Sequence, residues 1–127
     1  MSVIAAVRTI AVTTAAAGIA ALGIATDANA AQYTSLRLTP GQQVCVTQYA
    51  SYQVRADGWA TNAGAKFKLQ RNGVVVANTI GLATAFAAEL RTSWGNFPGP
   101  GSYTLCATNN GTTNTNVTIT LRSDGEF

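Results

Sequence analysis

Lys66-Phe67-Lys68-Leu69-Gln70-Arg71-Asn72-Gly73-Val74-Val75-Val76-Ala77-Asn78 is the stretch that decides the fold. Its first half alternates, with Phe67 and Leu69 on one side and Lys66, Lys68 and Gln70 on the other. That period of two belongs to a strand buried on one face. Asn72-Gly73 follows, and both residues of a two-residue hairpin turn must tolerate positive φ, which Asn and Gly do best. A second run, residues 74–78, completes the pattern. The stretch predicts a β-hairpin and, with it, an antiparallel β protein.

The same signals recur on either side. Residues 33–38 alternate and end at Thr39-Pro40-Gly41, a turn. Residues 43–49 form a second run, with Val44 and Val46 on one face and Cys45 on the other. Residues 51–56 read as a third strand, closed by Asp57-Gly58 as a turn, and residues 62–64 as loop. Residues 82–90 hold alanines that would suit a helix, but the flanking pattern favours a strand. Residues 95–101 contain two prolines and three glycines and must be loop. Residues 102–108 and 115–122 read as a closing hairpin around Asn109-Asn110-Gly111, and the polar residues 123–127 as a frayed end. The expectation is an all-β fold: a small antiparallel β-sandwich, Ig-like or jelly-roll-like, of about seven or eight strands.

The first 30 residues stand apart. Arg8 precedes an uncharged apolar stretch of small residues, and Ala28-Asn29-Ala30 supplies a small-x-small cleavage pattern. The apolar stretch is short for a span, which needs about 20 apolar residues. Residues 1–30 are therefore read as a secretory signal peptide and residues 31–127 as one exported domain, with no membrane span after the signal is removed. The domain keeps a formal charge of +3 and both cysteines. In an exported chain Cys45 and Cys106 read as one disulfide. Both are out of phase with the apolar rows, so the bridge is expected between neighbouring strands or on an outer face rather than between two sheets.

Three segments carry a resemblance to a known family: Thr39-Pro40-Gly41-Gln42-Gln43-Val44-Cys45-Val46, Phe67-Lys68-Leu69-Gln70-Arg71-Asn72-Gly73 and Pro100-Gly101-Ser102-Tyr103-Thr104-Leu105. Together they make residues 38–122 resemble the bacterial pre-peptidase C-terminal domain, a secreted β-sandwich appended to exported hydrolases. The resemblance implies a non-catalytic companion of secreted enzymes. Members often place calcium-binding aspartates before the central hairpin. Here that segment is Asn62-Ala63-Gly64-Ala65-Lys66, without a carboxylate, so no metal site is carried over.

The chain contains no histidine. That removes Ser-His-Asp and Cys-His catalysis and every His-containing zinc site. The domain's carboxylates are Asp57, Glu89, Asp124 and Glu126, and nothing in their spacing makes a glycosidase pair. Asp57 is read as serving its turn and Glu89 as a surface or capping residue. No enzymatic activity, cofactor or metal is expected.

Binding is the favoured class. Trp59, Trp94, Phe97, Tyr49 and Tyr52 fall at strand ends or in loops, where rings could form a platform for sugar faces. The competing reading, preferred for Trp59 and Trp94, has them plug the ends of the core; of the two, Trp94, which adjoins the 95–101 loop, is the better functional candidate. Lys66, Lys68 and Arg71 make a small basic patch, read first as the solvated face of an edge strand. The working expectation is a secreted module for a polysaccharide or cell-wall polymer, or another cell-surface ligand, with no specific nucleic-acid binding. A structural or self-associating protein, and a secreted inhibitor or toxin acting on a protein partner through residues 95–101, are the alternatives.

Overall fold

The computed structural model describes residues 31–127, and the signal peptide read in residues 1–30 lies outside the described residues. Eight strands follow one another: β1 (Gln32–Leu38), β2 (Gln43–Ala50), β3 (Gln53–Ala60), β4 (Lys66–Arg71), β5 (Val74–Asn78), β6 (Ala85–Arg91), β7 (Gly101–Thr108) and β8 (Thr115–Ser123). β1 pairs with β8, β2 with β7, β3 with β6 and β4 with β5, all antiparallel. The chain is thus one long hairpin folded at Asn72-Gly73, where φ is 50° and 87°. Rolling it up brings β3 against β8 and β4 against β7. Two four-stranded sheets result, β1-β8-β3-β6, here the front sheet, and β2-β7-β4-β5, the back sheet. Of the two sandwich forms expected, this order is the jelly roll.

The core lies between the sheets. Phe67, Leu69, Tyr103 and Leu105 of the back sheet face Val54, Val117, Ile119 and Leu121 of the front, all fully buried. Each such side chain contributes about 1.5–3 kcal/mol by leaving water. Within the 82–90 segment the strand begins at Ala85 and residues 82–84 precede it, and Phe86, Ala88 and Leu90 pack against this core.

Four expectations need correction. Asp57-Gly58 is not a turn; β3 runs through it, with Asp57 outward and Gly58 inward. Glycine is required there by space rather than by φ, because a Cβ would lie 2.6 Å from the Phe67 ring. β7 and β8 do not form a hairpin but lie in different sheets, joined across the end of the sandwich. Asn109, fully buried, organises that crossing. Its Nδ2 donates to the Leu38 and Thr113 carbonyls at 2.9 and 2.8 Å, and its Oδ1 accepts from Gly111 N–H at 2.9 Å. β4 is not an edge strand, since β5 covers it. Finally, residues 123–127 are tied down. Asp124 accepts from the Ser51 and Tyr52 N–H groups at 2.9 and 3.0 Å, and Glu126 accepts from Ser123 N–H at 2.8 Å and from Gln48.

The disulfide is where the alternation put it. Cys45 and Cys106 oppose each other on adjacent strands β2 and β7, with Cα atoms 4.1 Å apart, on the outer face of the back sheet. Narrow antiparallel pairs bring Cα atoms this close.

Candidate binding face

Alternation within the front sheet sends one set of side chains to solvent. From β3 these are Gln53, Arg55, Asp57 and Trp59, because Val54, Ala56 and Ala60 are buried. From β8 they are Asn116, Thr118, Thr120 and Arg122, and from β1 Tyr33, Ser35 and Arg37. The register sets them in rows. Ser35, Thr118, Trp59 and Ala85 lie side by side, and Tyr33, Thr120, Asp57 and Ala87 form the next row. Tyr33 and Trp59 therefore stand two strands and two residues apart, about 12 Å between Cα atoms from standard spacings. Both rings are open to solvent, at 64% and 54% exposure. Between them lies a hydroxyl floor in which Ser35 Oγ and Thr118 Oγ1 are 3.1 Å apart. Beyond Trp59, an open depression of about 570 Å³ is lined by Trp59, Thr61, Asn62, Thr84 and Asn114 among others.

One end of this face carries an ionic lattice. Asp57 accepts from Arg55 and from Arg122, each at 2.9 Å. Glu89 accepts from Arg55 through one oxygen and from Arg91 through the other. Burial works against ionisation of Asp57, but the hydrogen bonds from Arg55 and Arg122 outweigh it and lower its pKa. Hydrogen bonding from Arg91, opposed by burial and joined by Arg55, lowers that of Glu89. The two carboxylates thus share one face on either side of the Arg55 guanidinium, so Asp57 serves no turn and Glu89 no cap. Lowered pKa values are the reverse of what a general acid needs.

The remaining candidates are scattered. Trp94 is 61% exposed, so like Trp59 it does not plug the core. It sits in a short 3₁₀ turn, Thr92–Trp94, with the Arg91 guanidinium 5.2 Å from its ring. Tyr52 is beside it, its carbonyl accepting from Thr92 N–H at 3.0 Å. This end is about 20 Å along β3 from Trp59, six residues at the usual rise. Phe97 is half-buried and stacks on Tyr103 at 5.8 Å, a packing role. Lys66 and Lys68 project from the outer face of the back sheet, on the opposite side of the molecule from Tyr33 and Trp59. Arg71 leaves them to hold the 95–101 loop, donating to the Gly99 and Pro100 carbonyls at 3.1 and 2.8 Å. Tyr49 is exposed on the back sheet.

No protein-family model matches this chain, and no curated protein matches it. The fold and the face therefore carry the functional argument alone. Tyr33 and Arg37 are face residues carried by a strand rather than by a loop. Their signal lies in residues 32–38, where they alternate with Leu36 and Leu38. Among the described residues, no group of three His, Cys, Asp or Glu side chains comes together to hold a metal, and no helix is long and apolar enough to cross a membrane.

Proposed function

We propose that this protein is a secreted, non-catalytic module that binds a polysaccharide or other cell-surface glycan on the outer face of its front sheet. The observation that carries the reading is the pair Tyr33 and Trp59. They are two exposed rings on strands rather than loops, set over a floor of Ser35, Thr118 and Thr120. Rings stack on the apolar faces of sugars with little ordering cost, and hydroxyls beneath them serve the sugar's own hydroxyls. Strand-borne groups hold such spacing better than loop-borne ones. Export, and service beside a secreted enzyme as the pre-peptidase C-terminal resemblance implies, belong to the same proposal.

The test is retention of the oxidised protein on insoluble polysaccharides and cell walls, with Tyr33→Ala, Trp59→Ala and Lys66→Ala/Lys68→Ala variants. Loss of one anchoring ring weakens binding at least about tenfold, while the lysine variant binds as wild type. Retention that ignores both rings contradicts the proposal.

One feature favours the self-associating alternative. Edge strand β5 carries Val74 and Val75, 68% and 44% exposed, with no charge from Val74 to Asn78, and Ile80 beyond it is wholly exposed. Uncharged apolar edges invite pairing with another chain. A sedimentation series in concentration distinguishes the two, since the glycan reading needs only a monomer.

A further inference from the structure

We infer that the glycan is a polyanion, a chain bearing carboxylate groups, and that Arg37 meets its charge. This rests on the glycan reading above and narrows it to one chemical class. The outer face of the front sheet holds four arginines, Arg37, Arg55, Arg91 and Arg122, against two carboxylates, Asp57 and Glu89. Those two carboxylates are engaged by Arg55, Arg91 and Arg122. The other two in the described chain, Asp124 and Glu126, are held by backbone N–H groups of Ser51, Tyr52 and Ser123. Among the described residues, both side-chain carboxylates of this face are thus already paired with arginines.

The cations are not similarly exhausted. Arg37 is exposed, has no ion-pair or hydrogen-bond partner among the described residues, and sits in register with Asn116. Arg122 is held by Asp57 at 2.9 Å, and its guanidinium lies 6.0 Å from the Phe127 ring. Along β1, Arg37 and Tyr33 lie two residues to either side of Ser35, the residue in Trp59's row. Trp59 is thus about as far from Arg37 as from Tyr33, about 12 Å between Cα atoms. A chain crossing the two rings passes Arg37 on one flank. An arginine fork binds a carboxylate through two parallel hydrogen bonds, which a neutral hydroxyl cannot match.

The experiment measures affinity for alginate, a soluble polyuronate, and for a neutral mannan of similar length, at low and high salt. The proteins are wild type, Arg37→Gln, Trp59→Ala and Lys66→Ala/Lys68→Ala. The expected result is alginate binding at least about tenfold tighter than mannan at low salt. That preference is lost in Arg37→Gln and at high salt, while residual ring-dependent binding persists. Arg37 has no partner to lose among the described residues, so the variant keeps the wild-type melting temperature. Equal affinity for both glycans, unmoved by Arg37→Gln but abolished by Trp59→Ala, overturns the polyanion and leaves the glycan face standing. Alginate binding lost only with Lys66 and Lys68, or no binding to either glycan, overturns both.

Discussion

Replacing Gly58 by alanine places a methyl group where the Phe67 ring already is. The new Cβ would lie 2.6 Å from both Cδ1 and Cε1 of Phe67 and 3.2 Å from Cζ. The ring has little room to retreat: it is fully buried and stacks on Phe86 at 5.8 Å. Two effects oppose each other. Gly→Ala at a compatible φ stabilises by about 0.4–1 kcal/mol through the unfolded chain. Overfilling a packed core costs about 1–3 kcal/mol. The clash is the larger, and the net loss is about 1–2 kcal/mol. For a domain of this size each kcal/mol moves Tm by about 4–8 °C, so Tm should fall by roughly 5–15 °C in a calorimetric scan of the oxidised protein. The double variant Gly58→Ala/Phe67→Leu should melt above the sum of its single effects, because the two sites share one space. An unchanged or raised Tm in Gly58→Ala would refute the packing of β3 against Phe67.

Three other predictions concern stability. Asp57 and Glu89 have pKa values lowered in the folded state, so their contribution is complete above the ordinary carboxylate range and is lost as pH falls through the folded values. Tm should hold from neutral pH to about pH 4 and then decline; Arg55→Gln should lower Tm at pH 7 and flatten that acid decline, and an equal loss at every pH contradicts the linkage. Asn109→Ala removes three hydrogen bonds and strands buried backbone groups, which should cost about 2–3 kcal/mol in urea unfolding; a loss under half of that shows that the 109–113 crossing does not depend on this side chain. Cys45→Ser/Cys106→Ser releases a bridge between residues 61 apart, at a cost of up to about 4 kcal/mol, and the far-ultraviolet spectrum should stay that of the wild type because β2 and β7 are already paired along their length.

Alternation and turn chemistry made the strands legible, and Asn72-Gly73 proved to be the tip of the whole rolled hairpin. Pairing was not legible in the same way. Nothing local distinguishes a β7–β8 hairpin from a crossing between sheets, because that choice depends on where β2 and β3 have already paired. Asp57-Gly58 misled for a related reason. The pair has turn composition, yet its glycine answers to Phe67, a residue nine positions away whose ring arrives from the other sheet. Ending the strand there hid the outward phase of Trp59, which follows at once if β3 continues from Arg55 through Asp57. The arginine–carboxylate lattice was invisible because it joins β3, β6 and β8 through cross-strand register. The cysteines succeeded because their phase is a local property.

The most direct test of the front-sheet face is an amide and indole shift map of labelled protein titrated with alginate oligosaccharide. The largest changes are expected at Tyr33, Ser35, Arg37, Thr118, Thr120 and the Trp59 indole, with Lys66, Lys68 and Thr104 on the back sheet unmoved. Shifts confined to the back sheet, or to Trp94 and Tyr52 at the far end, would contradict binding at the front-sheet face.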